Sequence, residues 1–141
     1  MLGGVGGHAG IFSNAMELSV IMQMVLNKGE YGGERYISEN TIKKFTSCPN
    51  CPTNRRGIGF DKPLPSLDGG PTCDEVSLES FGHTGFTGTM VWSDPKYGIN
   101  YVFLSNRIYP SATNRKLIKL NIRTAIQEQI YKAVKELISI K

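Results

Sequence analysis

The stretch GHTGFTGTMVWSDPKYGINYVFLSN, residues 82–106, carries two apolar runs separated by a turn-forming connection. GTMVW and INYVFLSN read as strands, because β-branched and aromatic residues suit a pleated surface. The link between them, Ser93-Asp-Pro-Lys-Tyr-Gly98, has the chemistry of an antiparallel hairpin. Upstream, VSLESFGH (76–83) reads as a third strand, and the GIGF segment near residue 58 as a brief fourth. Along the last strand Tyr101 and Phe103 point one way and Val102 and Leu104 the other. A sheet apolar on both faces needs cover on both.

Helices supply that cover. Ser13 reads as an N-cap, and Leu18, Ile21, Met22, Val25 and Leu26 follow at helical spacing up to Asn27-Lys28-Gly29. Ser38 reads as the cap of a short second helix carrying Ile42 and Phe45. Near the C-terminus Ile118, Ile122, Ile126 and Ile130 recur every four positions, continued by Val134 and Leu137. That stripe predicts an amphipathic helix with the isoleucines inward. The expected fold is α+β: a small antiparallel sheet of about three strands flanked by helices. Residues 1–141 read as a single domain, with a helical part over 1–47, the sheet over 57–107 and the terminal helix over 112–141.

Composition agrees with this picture and excludes several function classes. A chain of 141 residues, 40% hydrophobic and 20% charged, can bury a real core. No apolar run reaches the length of a membrane span. The opening MLGGVGGHAG lacks the basic start and apolar centre of a secretion signal. Net charge is +4, and residues 115–141 hold seven Lys/Arg against two Glu. Such a basic tail invites a nucleic-acid reading. The apolar stripe running through it favours lysines on the wet face of a packed helix, so no nucleic-acid partner is expected.

Three cysteines include a C-x-x-C pair, Cys48 and Cys51. A structural loop closed by a disulfide, half a zinc site and a redox pair all fit such a pair. The flanking Pro49 and Pro52 favour the loop, and the remaining candidates, Cys73 and His83, lack zinc-ligand spacing. No metal and no cofactor are expected. Gly4-Val-Gly6-Gly-His-Ala9 formally fits a dinucleotide fingerprint but has no preceding strand. G-x-S-x-G is absent. S-x-x-K occurs as Ser93-Asp-Pro-Lys96, inside a turn where serine and lysine cannot share a helix face. Ser38-Glu-Asn40 is explained as a helix cap.

FGHTGFTGT (81–89) remains, at the end of one strand and the start of the next. Thr84 offers a hydroxyl for a substrate carboxylate and His83 a cation or proton relay. The backbone N–H groups that follow can face an oxyanion. The competing reading is a glycine-rich strand connection beside a satisfied core histidine. His8, flanked by glycines, either lines a cleft or bonds the backbone of a tight turn.

The order of these pieces resembles the C-terminal half of the serine β-lactamase/penicillin-binding-protein family, most closely its class C-like and esterase-like branch. GGVGGHAGIFSNAMELSVIMQMVL, GIGFDKP, GHTGFTGTMVWSDPKYGINYVFLSNR and the terminal helix carry the resemblance over essentially the whole chain. NCPTNRRGIGFDKP is also similar to β-lactamase-type domains fused to bacterial N-acetylglucosaminidase-like glycoside hydrolases of the cell envelope. The resemblance implies that His83-Thr84-Gly85 is the third catalytic motif, bordering the cleft. It further implies that the Phe86 N–H is an oxyanion donor. Thr87 and His8 join Phe86 as candidate substrate-binding residues. Complete members form an acyl-enzyme on an S-x-x-K serine. That motif lies upstream of a segment resembling residues 1–28, and neither it nor its partner motif is convincing here. The expectation is a folded piece of a serine hydrolase, inactive alone, whose parent acts on a small-molecule or peptidoglycan-type substrate in the bacterial periplasm or envelope. A non-catalytic peptidoglycan- or partner-binding module is the alternative. A sheet missing its N-terminal neighbours would expose an edge, so self-association through that edge is expected.

Overall fold

Asp94, Pro95 and Gly98 make the hairpin that organises the molecule. In the computed structural model, which describes residues 6, 10–51, 54–64 and 70–140, the Asp94 carboxylate accepts the Lys96 N–H at 3.0 Å and Gly98 takes φ +63°. Those two features close the link between a strand at Met90–Asp94 and one at Ile99–Phe103. Counting strands in chain order, the elements are α1 (Ala15–Leu26), β1 (Glu30–Tyr31), β2 (Glu34–Arg35) and α2 (Glu39–Phe45). Then follow β3 (Phe81–Thr84), β4 (Met90–Asp94), β5 (Ile99–Phe103), α3 (Lys116–Lys119) and α4 (Ile122–Ser139). β3, β4 and β5 form an antiparallel sheet in that order, and β1 pairs with β2 in a separate two-stranded ribbon.

Strand alternation divides the core in two. Met90, Trp92, Ile99 and Tyr101 face α4 and cluster with Cys73 and Tyr131. Phe81 and Val91 face the other way and pack with Met22 and Val25 of α1 and Ile42 of α2. The Trp92 indole crosses β3 at Gly82, where a Cβ would stand 2.4 Å from Trp92 Cε3 and 2.2 Å from the Val91 oxygen. Only glycine fits there, and the indole N–H then reaches the buried Ser80 hydroxyl at 3.0 Å.

Several sequence expectations are corrected. Asn14, not Ser13, caps α1: its side chain accepts the Glu17 N–H at 3.0 Å, while the Ser13 hydroxyl donates to the Glu17 carboxylate. Ile21 is exposed because the sheet contacts α1 along Met22 and Val25. GIGF is no strand. Gly57 bonds back to Phe60, and Gly59 lies so close to Phe45 that a Cβ would sit 2.9 Å from its ring, so the segment folds against the end of α2. Strand pairing begins only at Phe81, because the Asp94 carboxylate takes both the N–H and the hydroxyl of Ser77.

The largest correction concerns the terminal helix. The chain breaks at Leu120-Asn121, where Asn121 is left-handed at φ +49°, and α4 then turns Gln127 and Tyr131 inward. Ile118, Ile126, Ile130 and Leu137 are exposed. Polar anchoring explains the choice of face. The Tyr131 hydroxyl donates to Asp94 at 2.9 Å, and the Gln127 side-chain oxygen accepts the Cys73 N–H at 2.9 Å. A buried aromatic with a satisfied hydroxyl outweighs an aliphatic stripe that can stay wet. Cys48 and Cys51 form a disulfide and Cys73 is a buried thiol. No described helix is long and apolar enough to cross a membrane.

Candidate active-site edge

The turn between β3 and β4 is built by glycine. Gly85 donates its N–H to Thr89 at 2.8 Å, Gly88 donates to Gly85 at 3.0 Å, and Gly88 adopts φ +98°. This is a tight turn over Phe86-Thr87 followed by a left-handed residue, a position glycine fills without steric cost. Phe86 therefore stands at the tip, 74% exposed, with the Arg107 guanidinium 4.8 Å from its ring centre. The Thr87 carbonyl is drawn inward, accepting the Arg107 N–H at 2.9 Å and the Ser105 hydroxyl at 3.3 Å.

β3 is an edge strand, and its register sets what faces out. Gly82 turns both backbone groups away from β4 and exchanges them with Asp61, at 2.8 and 3.1 Å. Backbone direction repeats every two residues, so Thr84 presents its N–H and carbonyl to the same open side. Beyond Asp61, no described strand occupies that side. Asp61 is itself buried between Arg55 and Arg56, and Arg56 Nη1 reaches its two oxygens at 2.6 and 2.8 Å. This clamp finishes the near end of the edge and leaves the far end at Thr84 unpaired by any described strand.

The two side chains of the motif part company. His83 shares the α1 face with Val91, is exposed, and holds its Nδ1 2.8 Å from the Thr84 carbonyl oxygen. Thr84 points to the α4 face, where it lines a cleft of about 260 Å³ with Arg55, Leu117, Asn121, Arg123 and Thr124 among its walls. Burial lowers the Arg123 pKa and nearby Arg107 adds repulsion, yet arginine remains cationic from so high a starting value. Arg55 and Arg56 together outweigh the single charge of Asp61, and Arg123 adds another, so the cleft is positive on balance and suits an anion. A larger cleft of about 390 Å³ lies beside Cys73, Asp74, Glu75 and Glu128. It contains none of the H-T-G residues and its acidic wall opposes an anion.

Of the residues singled out in the sequence, the structure thus brings Thr84, Gly85, Phe86 and Thr87 to one edge, with His83 on its opposite face. His8 lies outside the described residues. Ser93 is fully buried with its hydroxyl on Asn100, and Ser38 caps α2, so neither is presented as a nucleophile. Arg55, Asp61 and Arg123 were not legible as site residues. Arg123 sits in what reads as a solvated basic tail, and nothing in its neighbourhood distinguishes it from the lysines around it.

The Beta-lactamase family model matches residues 2–125. A "Putative D-alanyl-D-alanine carboxypeptidase" of Escherichia coli O157:H7 is 37% identical over 111 residues, covering 75% of this chain and 24% of its own length. The protein of that name from Salmonella paratyphi B is 36% identical over 118 residues, covering 82% of this chain and 27% of its own. The chain thus spans about a quarter of the length of the curated relatives it matches. Among solved structures, a penicillin-binding protein homologue from Caulobacter crescentus aligns with a TM-score of 0.47 at 25% identity, over 61% of this chain and 24% of that one.

Proposed function

The chain belongs to the beta-lactamase family, and on that premise we propose that residues 81–89 are the ligand-holding wall of a serine hydrolase active site. The carboxylate of an acyl-D-alanine type of ligand sits by the Thr84 hydroxyl in the arginine-lined cleft. The ligand backbone runs along the free edge at Thr84, and the Phe86 N–H faces the carbonyl oxygen that becomes an oxyanion. Glycine at 85 keeps the strand end clear. The observation that carries this reading is the double presentation of Thr84, backbone toward the open edge and side chain into a cleft with Arg55 and Arg123.

In the same proposal the attacking serine and its lysine base lie on polypeptide outside this sequence. Supporting this, Ser93 is buried and Ser38 is engaged as a cap, while the relatives are about four times longer than their match to this chain. The complete protein cleaves an amide or ester: serine oxygen adds to the carbonyl carbon, the amine or alcohol leaves with a proton, and water then releases the acid. The names of the relatives favour a peptidoglycan-type substrate and hence the bacterial periplasm or cell envelope. The fusion to an N-acetylglucosaminidase-like glycoside hydrolase is the finer form of the proposal and rests on NCPTNRRGIGFDKP alone. This chain by itself performs no acyl transfer, since losing members of such a constellation costs orders of magnitude in rate.

A second reading, a non-catalytic module that only holds the ligand, is favoured by the same engagement of Ser93 and Ser38. Titrating the ¹⁵N-labelled chain with an N-acyl-D-alanyl-D-alanine peptide tests the shared part: amide shifts are expected at Thr84, Gly85 and Phe86. Silence at all three would remove the ligand-binding edge. Intact-mass spectrometry after incubation with a β-lactam is expected to show the unmodified chain, and a covalent adduct would overturn the missing nucleophile.

A further inference from the structure

The turn carrying Phe86 is gripped from beneath by a side chain that also walls the cleft. Arg123, half-buried in the first turn of α4, sends Nη1 to the carbonyl oxygens of Thr89 at 3.3 Å and Gly88 at 3.4 Å. Thr89 is the residue that closes the turn, since its carbonyl also accepts the Gly85 N–H. A cation on that oxygen is a charge-assisted contact at the base of the loop. Arg123 is anchored in turn, because the buried Tyr101 donates its hydroxyl to the Arg123 carbonyl at 3.0 Å.

Other contacts to the turn are less specific. Arg107 holds Thr87 through its backbone N–H, which any residue but proline supplies, and its guanidinium lies over the exposed Phe86 ring instead of on a turn carbonyl. Leu117 and Ser105 lie where a Gly88 Cβ would stand, at 2.4 and 2.5 Å, and stop the loop from sinking. Among the described residues, Arg123 is the one side-chain cation directed at the closing carbonyls.

We propose that Arg123 is the positioning residue of this edge, holding the 85–89 turn in the shape that turns the Phe86 N–H outward beside Thr84. Its purpose rests on the functional reading above, but its test needs no ligand. Amide hydrogen exchange is followed by NMR on the full chain and on Arg123→Met, which keeps an apolar stem without charge. Exchange at Gly85 and Gly88 is expected to accelerate by about tenfold or more, with Trp92 and Tyr101 in the sheet within about twofold. Arg123→Lys, retaining a cation, is expected to recover much of the protection. Unchanged exchange at Gly85 and Gly88 would overturn the proposal. Equal acceleration at all four amides would also overturn it, by making Arg123 an ordinary packing residue. Should Arg123→Met fail to fold, Arg123→Gln, which is also uncharged, is read in its place: loosening confined to Gly85 and Gly88 supports the role, and none refutes it. Failure of the peptide titration with this exchange pattern intact would sink the functional reading only.

Discussion

Asp94 and Tyr131 carry the most concentrated polar chemistry in the core. The Asp94 carboxylate, fully buried, accepts from Ser77 twice, from Lys96 and from Tyr131. Burial first, and then the neighbouring carboxylate, push the Tyr131 hydroxyl well above its ordinary pKa. Unfolded tyrosine ionises near pH 10. Below that pH the hydroxyl is neutral in both states and its contribution is complete. Above it the unfolded chain releases a proton that the folded chain retains, so stability falls as pH rises. Tyr131→Phe is therefore expected to cost about 1–3 kcal/mol at pH 7 through the lost bond to Asp94. Its deficit relative to the parent should shrink above pH 10 in urea denaturation. Tyr101 and Cys73, also raised by burial, leave a residual alkaline slope in both proteins. The Asp and Tyr were readable as turn and helix residues. Their meeting, 37 positions apart, was not.

At the scale of elements, the hairpin of β4 and β5 and the Ser38 cap of α2 followed from local chemistry, because their determinants are neighbours in the chain. α4 was legible as a helix and misread as a face. Its sequence holds two apolar sides, and periodicity alone favours the isoleucines. The structure buries Gln127 and Tyr131 instead. Replacing Ile126 or Ile130 with Ser is expected to change stability by no more than about 0.5 kcal/mol beyond the loss in helix propensity. Tyr131→Ala should cost about 3–5 kcal/mol. Denaturation midpoints of the three variants decide the matter. A large loss at Ile126 and Ile130 with little at Tyr131 would restore the original face.

For the molecule as a whole, exposed apolar side chains and open strand edges occur together. Ile126, Ile130 and Leu137 line one side of α4, and β5 has no described strand beyond it. Such surfaces favour association. Light scattering over a concentration series is expected to show oligomers of the isolated chain, reduced when Ile126 and Ile130 are both changed to Lys. A monomer at every concentration would refute this. Taken alone, the order of residues determined the hairpin, a sheet apolar on both faces and the presence of α1, α2 and α4, and it marked out residues 81–89 as a glycine-rich H-T-G stretch. Each of these follows from turn chemistry, strand or helix periodicity, or a contiguous motif. Tertiary structure alone decided which side of α4 is inside, that His83 and Thr84 face apart across β3, and that Arg123 reaches under the 85–89 turn. Those outcomes depend on which distant polar groups can satisfy one another once buried, and no run of adjacent residues encodes that pairing.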